Sequence, residues 1–286
     1  MEEGRRVPGS APSIEHHLGL IERIGVVVPG VVVVFLISPL LRVPSLRIPL
    51  VALGSPVHFQ LSRELAVGIL AGALAWVGTG HVLVASPSYE RGARIYSHRI
   101  LPVLAAIATT VFWQRQGDAS AESRLVTAAV IGLALSLIIW AQYEAMAGES
   151  PRVLRLRTVI GIISLSLALY LWIVIFGTRA RSLLSSPAAA ALSCVLAIDI
   201  LQYEAVGEWR LWRAALAIGL VTGESAWALN YWRASPLEAG FLLLTVNYVL
   251  IGLTRRLFQD ALDRLAVLEH AFLAAVMLVA VGRIVR

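Results

Sequence analysis

The stretch TVIGIISLSLALYLWIVIFGT, residues 158–178, contains no charged side chain. An α-helix rises about 1.5 Å per residue, so a helix over this stretch reaches across the roughly 30 Å hydrocarbon layer of a bilayer. A helix also satisfies its backbone hydrogen bonds internally, as a segment surrounded by lipid must. The stretch therefore predicts a transmembrane helix, and it decides how the rest of the chain is interpreted.

The composition of the whole chain leads to the same conclusion. Hydrophobic residues make up 58% of it, charged residues 15%, and the mean hydropathy is +0.78. A soluble domain carries about a quarter charged residues. This chain has too little polar side-chain material to cover a surface that faces water, so lipid must solvate most of it. We predict an integral protein of the cell membrane.

Further apolar segments of similar length lie on both sides of residues 158–178. We predict an all-α fold, a polytopic transmembrane helical bundle of about nine spans, with eight to ten as the limits. The spans are placed at 22–41, 64–85, 99–114, 125–144, 158–178, 187–204, 213–232, 237–254 and 267–284. Prolines and a glycine interrupt residues 42–63. We expect an interfacial or half-inserted loop there, with some extended structure, and not a tenth span.

The arginines predict the domain organisation and the orientation. Residues 1–21 are interpreted as a polar cytoplasmic tail and residues 22–284 as a single transmembrane helical domain. More arginines fall in the loops on the side of the N-terminus, which places that side in the cytoplasm. All 24 cationic residues are arginine. The absence of lysine excludes a retinal or pyridoxal Schiff base and a P-loop lysine.

A short motif recurs where predicted spans end. Gln142-Tyr143-Glu144 closes the fourth span, Gln202-Tyr203-Glu204 closes the sixth, and Tyr89-Glu90 follows the second. The spacing indicates tandem helical hairpins, in which Tyr lies at the headgroup level and Glu pairs with an arginine of the next helix. The alternative is that helix ends in the inner leaflet simply favour these residue types. The predicted anchors are Tyr89, Glu90, Tyr143, Glu144, Tyr203 and Glu204.

Two carboxyl groups fall inside predicted spans, Asp199 in the sixth and Glu224 near the middle of the seventh. A charge at mid-bilayer costs about 3 kcal/mol on insertion scales, so each group should face the bundle and find a partner. We predict an intramembrane polar pocket between spans six, seven and eight. It is either a proton- or ion-coupled site or a set of hydrogen bonds that holds the helices together, and the second is favoured. The predicted pocket residues are Asp199, Thr222, Glu224, Ser225, Thr245 and Asn247.

The sequence indicates no catalytic residue, cofactor or metal ligand. His81, His98 and His270 fall toward the predicted cytoplasmic side, where two of them could ligate a haem. Isolated interfacial histidines are the simpler interpretation. The HExxH motif of zinc proteases does not occur, and Gly223-Glu224-Ser225-Ala226 departs from the Gly-x-Ser-Gly of rhomboid-like proteases.

Three functional hypotheses follow, in order of preference. The first is a non-enzymatic scaffold, accessory subunit or lipid-contacting component of the membrane. The second is a small-solute or ion transporter that uses the pocket around Asp199 and Glu224, and the third is an intramembrane enzyme acting on a lipid. The expected partners are membrane lipid and protein partner subunits, and no nucleic acid is expected.

Overall fold

A computed structural model describes residues 14–38, 40, 46–52, 55–61, 63–84, 86, 95–115, 120–146, 148, 150–178, 182–232 and 234–284. Within these residues the chain forms ten helices and one two-stranded hairpin. The elements are α1 (Ile14–Ile37), β1 (Leu46–Ala52), β2 (Ser55–Leu61), α2 (Arg63–Leu83), α3 (Ile95–His98), α4 (Ile100–Arg115), α5 (Ala121–Ala145), α6 (Pro151–Gly177), α7 (Ser182–Leu201), α8 (Glu208–Tyr231), α9 (Pro236–Phe258) and α10 (Arg264–Ile284).

Each of the nine predicted spans overlaps one of the long helices, so the predicted helical bundle is confirmed. Six helices of the described chain are long and apolar enough to cross a membrane: α1 from Gly19 onward, α2, α5, α6, α7 and α9. The helix α4 has 16 residues, fewer than the roughly 20 that a crossing needs. The number of crossings therefore stays a prediction. The helix α1 begins at Ile14, inside the predicted polar tail.

The strands β1 and β2 form an antiparallel hairpin in the segment for which the sequence predicted a loop with some extended structure. Leu46 lies opposite Leu61, and Ala52 lies opposite Ser55. With two strands, each strand has an edge that bonds to no third strand, which is where a sheet tolerates proline. Pro49 and Pro56 can therefore both belong to the hairpin. Whether it enters the bilayer stays a prediction.

The buried apolar residues form two large clusters that meet at α4. The first joins α1, α2, α4 and α5 with Ile160 of α6, and the second joins α4, α6, α7, α8 and α9. Leu101 and Ala105 of α4 belong to the first cluster, whereas Ile100, Leu104 and Ala108 belong to the second. A helix that is apolar around its circumference is expected to be buried. This explains how so short a helix lies at the centre of the bundle.

The helices α7 and α8 pack most closely where α8 carries glycine. A Cβ atom added at Gly219 would lie 2.8 Å from the carbonyl oxygen of Ala190, and one at Gly223 would lie 2.8 Å from the Cβ of Ala190. Both distances are shorter than carbon makes without a clash, so the two backbones approach through glycine. Small residues at helix interfaces allow this kind of contact between membrane helices. One face of α8 is therefore committed to α7.

Candidate functional site

The Asp199 side chain is completely buried near the end of α7. The Ser164 hydroxyl of α6 donates a hydrogen bond of 2.6 Å to its Oδ2 atom. The Gln202 amide donates to the Asp199 backbone carbonyl at 2.7 Å and lies 3.4 Å from Oδ1. The carboxyl group is thus held between two helices by hydroxyl and amide donors, and no arginine or histidine forms an ion pair with it among the described residues.

A second set of bonds surrounds Gln142 of α5. Its Oε1 atom lies 2.9 Å from Nδ1 of His98 and accepts a bond of 3.1 Å from the Tyr203 hydroxyl. The rings of His98 and Tyr203 meet edge to face with centroids 5.4 Å apart. Because Oε1 is an acceptor, Nδ1 carries the proton of the neutral imidazole. The Gln142 side chain also lies next to Asp199, which connects the two sets of bonds.

His98 is buried at the end of α3, and its surroundings disfavour the imidazolium form. Burial lowers the pKa of His98 from 6.5 to about 4, and the nearby positive charge of Arg157 acts in the same direction. The hydrogen bond to Gln142 opposes these effects but is smaller than the effect of burial. His98 is therefore neutral at pH 7, which matches its role as a donor to an amide oxygen.

Arg157 of α6 connects this polar region to the end of α5. Its Nε and Nη2 atoms donate to the carbonyl of Ala145 at 3.2 and 3.1 Å, and Nη2 also donates to the carbonyl of Gly148 at 3.0 Å. These carbonyls lie at the C-terminus of α5, where a helix has unpaired acceptors and partial negative charge. The guanidinium also lies over the Tyr203 ring, 4.7 Å from its centroid.

Beside Asp199 lies a cavity of about 520 Å³, which we call the α6/α10 groove. The helices α6 and α10 both pack against α9, but among the described residues they share no packed interface with each other. They form the two walls, and α7 and α9 form the floor. The lining residues are Arg157, Thr158, Ile160, Gly161, Ile162, Leu165, Asp199, Ile200, Tyr203, Tyr248, Ile251, Gly252, Arg255, Arg256, Gln259, Glu269 and His270.

From the exposure of the lining residues we infer that the groove opens sideways, between the walls, as well as at the helix ends. Ile162 lines it while 59% of its surface is exposed on the outside of α6. His270 lines the opposite wall; it is buried, its Nδ1 atom lies 2.8 Å from the Ala266 carbonyl, and its ring stacks on Tyr248. A Cβ atom at Gly252 would lie 2.2 Å from Nε2 of His270. Glycine at position 252 is therefore required for this histidine to fit.

The lining changes from charged to apolar along the groove. Arg157, Arg255, Arg256 and Gln259 lie at the end where α6 and α10 begin and where α7 and α9 finish. Leu165 is eight positions further along α6 than Arg157, which corresponds to about 12 Å of helix. Beyond the arginines the lining is mostly isoleucine and leucine, together with Tyr248, His270 and the carboxyl group of Asp199.

The other predicted pocket residues do not join Asp199. The Asn247 amide donates to Thr222 at 3.0 Å and to Ser193 at 3.3 Å, which forms a separate buried set between α7, α8 and α9. Thr245 bonds the carbonyl of its own helix residue Phe241. Ser225 does the same with Val221. The predicted pocket is thus divided into two separate polar sets plus residues bonded within their own helices.

Glu224 lies on the exposed face of α8, away from the buried network and away from the groove. Its neighbour Gly223 faces α7, so the next residue along the helix points to another side. Because 3.6 residues make one turn, adjacent positions differ by about 100° around the axis. The expectation that Glu224 faces the bundle does not agree with this geometry.

The residues predicted as repeat anchors make different kinds of contact. Glu204 accepts from Nε of Arg255 at 2.7 Å and from Gln259 at 3.1 Å, so it pairs with an arginine, though one of α9 and not of the next helix. Tyr203 belongs to the buried network. Tyr143 packs against Leu83 and Met146, and Glu144 follows it at the end of α5. Tyr89 and Glu90 lie outside the described residues.

Sequence reasoning missed His98, Gln142, Ser164 and Gln202 as members of the network. Gln142 and Gln202 are the first residues of the two Gln-Tyr-Glu motifs. An amide side chain at the end of an apolar helix was the one sequence feature that could have indicated the network. Nothing in the sequence alone indicated that the first motif contacts the second through Tyr203 and Gln142. Among the described residues, no three His, Cys, Asp or Glu side chains lie close enough together to hold a metal ion.

The bundle, its six apolar helices and a carboxyl buried inside one of them define a helical membrane protein. The chain belongs to the DUF5656 family, described as a protein of unknown function, whose model matches residues 43–283. The match includes every residue that lines the groove. Neither the curated proteins nor the solved structures contain a match to the chain.

Proposed function

We propose that this chain is a multi-pass protein of the cell membrane that holds a lipid molecule in the α6/α10 groove and carries out no reaction on it. In this proposal the N-terminus is cytoplasmic, and the charged end of the groove faces the inner leaflet. The proposal belongs to the lipid-contacting class favoured by the composition. The observation that carries it is the groove itself, which opens sideways between two helices and changes from charged to apolar along its length.

A lipid has the same two-part chemistry as the groove. Its headgroup is polar and its acyl chain is apolar, and the two are joined in a fixed order along the membrane normal. The arginines and Gln259 lie at one end, and Leu165, Ile200 and Ile251 line the part beyond. Ligand sites are typically concave, mostly apolar and fitted with a few polar groups. The sideways opening lets a lipid enter from the bilayer without crossing water.

The geometry supports an enzyme less well. Asp199 and His270 both line the groove, but neither bonds to the other. Asp199 accepts from Ser164, and Nδ1 of His270 is engaged with the Ala266 carbonyl. An acid and a base that act on one substrate must converge on the same atom or on neighbouring ones. Here each group is held by a separate neighbour.

A transporter is the second candidate, and Asp199 is the observation in its favour. A carboxyl group inside an apolar helix is often part of an ion or proton pathway. The groove reaches Asp199 from one side, whereas Glu224 takes no part in it. If Asp199 drives transport, Asp199→Asn abolishes proton-coupled uptake into reconstituted vesicles. If the lipid proposal is correct, that variant retains its lipid.

The lipid proposal is tested by filling the mouth of the groove. We expect Ile162→Trp to reduce the amount of lipid that remains with the protein after purification in mild detergent by several fold, because an indole occupies the opening. Val159→Trp is the matched control, since Val159 is exposed on the same helix but does not line the groove. Native mass spectrometry measures the retained lipid. Equal retention by the two variants would exclude the groove as the lipid site.

A further inference from the structure

Three arginines meet at one end of the α6/α10 groove. Arg157 comes from α6, and Arg255 and Arg256 come from the last turn of α9. All three line the same cavity of about 520 Å³. The elements that carry them finish or begin at the same end of the bundle. The charge is therefore a property of the fold, since α6 and α9 are far apart in the chain.

Among the described residues, Arg255 and Arg256 form ion pairs with carboxylates, and Asp260 and Asp263 line a neighbouring pocket with Arg256. Glu204 accepts from Arg255 at 2.7 Å, and its side chain is only 11% exposed. Glu269 lies 3.6 Å from Arg256, and both of these side chains are about half exposed. Exposed pairs at such a distance are weak and exchange readily for a better partner. Arg256 is therefore available to a ligand in a way that Arg255 is not.

Arg157 has no carboxylate partner among the described residues. Its Nε and Nη2 atoms donate to backbone carbonyls, and its ring contact is with Tyr203. Nη1 makes no hydrogen bond to any described residue. Asp199 is bonded to Ser164. Among the described residues, Arg157 thus lines the charged end of the groove without a carboxylate partner.

We infer that this end of the groove binds a phosphate group, and that the phosphate belongs to an anionic phospholipid. Guanidinium groups recognise phosphate oxygens through paired N–H donors, which gives both charge and direction. Nη1 of Arg157 supplies one set of donors from α6, and Arg256 supplies another from α9. The acyl chain then continues past Ile162 and Leu165. This inference rests on the proposed function, because it names the headgroup of the lipid held there.

The test compares lipids that differ in net charge. Purified full-length protein is titrated with phosphatidylglycerol, phosphatidylcholine and inorganic phosphate, and bound lipid is quantified by native mass spectrometry. We expect phosphatidylglycerol to bind at least several fold more tightly than phosphatidylcholine. We also expect Arg256→Gln to weaken phosphatidylglycerol binding by about fivefold, since each basic residue near an anionic headgroup contributes on that order. Phosphatidylcholine binding should weaken less, because its choline cation offsets the charge of its phosphate.

The control is Arg152→Gln, because Arg152 is exposed on α6 and does not line the groove. Arg256→Gln is preferred over a change at Arg157, which also caps α5 and whose loss would affect folding. Equal weakening by the two variants would assign the preference to general surface charge and overturn the inference. Displacement of phosphatidylglycerol by inorganic phosphate at equal concentration would overturn the lipid assignment in favour of a soluble anion.

The lipid site and its preference for an anionic headgroup can be excluded by different results. If both lipids bind with equal affinity and Arg256→Gln changes neither, the phosphate inference is wrong, whatever the groove holds. If Ile162→Trp leaves lipid retention unchanged, the groove is not a lipid site and the proposed function itself is wrong. Loss of phosphatidylglycerol binding in both Ile162→Trp and Arg256→Gln, but not in the two controls, supports both.

Discussion

Asp199 and Glu224 both carry a carboxyl group in an apolar helix, but the first is buried and the second is exposed. Asp199 is fully buried, receives a hydroxyl bond from α6 and lies at the floor of a groove. Glu224 lies on the exposed face of α8 and contributes to neither polar set. The sequence places both inside predicted spans. The comparison teaches that a position within a span does not determine the environment of a side chain, because the face of the helix decides it.

The largest expected effect is at Asp199. Asp199→Leu leaves the buried Ser164 hydroxyl without its acceptor and places an apolar side chain beside the Gln202 amide, and an unsatisfied buried donor is costly. We expect a loss of about 3 kcal/mol in the free energy of unfolding, measured by denaturation in detergent. Asp199→Asn retains hydrogen-bonding capacity and should lose much less. If the two variants were equally stable, the network would contribute nothing to the fold.

The next effect is a pH dependence of stability that arises from His98, which belongs to the buried polar network near Asp199. The pKa of His98 is about 4 in the fold and 6.5 ordinarily, because burial disfavours the imidazolium. The unfolded chain therefore takes up a proton first, and stability falls as the pH drops from about 6.5 to about 4, then levels off. We expect this to amount to about 2 to 3 kcal/mol.

Carboxylates elsewhere also titrate in this range, so the measurement is a difference between two proteins. Thermal unfolding in detergent is followed from pH 8 to pH 4 for the wild type and for His98→Gln, which retains a donor toward Gln142. The difference in stability between them should shrink steadily below pH 6.5. A difference that does not depend on pH would show that His98 is not held in the neutral form.

A smaller effect sharpens the comparison on α8 itself. Gly223 and Glu224 are neighbours, yet Gly223 faces α7 at a distance that leaves no room for a Cβ atom. We expect Gly223→Val to destabilise the protein by about 2 kcal/mol, since overpacking forces the helices apart. Ala228→Val, on the exposed face of the same helix, should have little effect. Thermal unfolding in detergent compares the two, and a larger loss at Ala228 would contradict the assigned faces.

The smallest effect is expected at Glu224. Its side chain is exposed and has no role in either buried set, so Glu224→Gln should change the free energy of unfolding by no more than about 0.5 kcal/mol, as is usual for surface positions. Lipid retention should also stay unchanged. Denaturation in detergent and native mass spectrometry measure the two quantities. A large loss of stability would mean that Glu224 has a partner in the intact protein, such as a further subunit.

The helices could be predicted from the sequence because each one needs a long apolar segment. Such segments are easily recognised in a chain with few charged residues. Residues 158–178 and the other eight predicted spans each coincide with a long helix. The pairing of β1 with β2 could not be predicted in the same way. The prolines predicted an interruption of helix, but strand pairing depends on the partner strand and not on local composition alone.

The candidate site was predicted in part. Asp199 stood out because a carboxyl group is conspicuous in an apolar segment. Asn247 and Thr222 were predicted to belong to the same pocket, and the Asn247 amide donates to the Thr222 hydroxyl. The sequence placed Asp199 and Asn247 in one pocket, but Asp199 bonds to α6 whereas Asn247 bonds to α8. His98 and Gln142 come from α3 and α5, and no pattern of spacing relates them to Asp199 of α7.

The sequence by itself determined that lipid must surround this chain, because its polar side chains are too few to face water, and it determined where the long helices lie. The tertiary structure alone decided which face of each helix is buried, so that Asp199 meets Ser164 whereas Glu224 lies on an exposed face of α8. It also decided that three arginines from two distant helices line one groove. The physical reason is that hydropathy is a property of a segment, whereas a site depends on how several segments are rotated against one another.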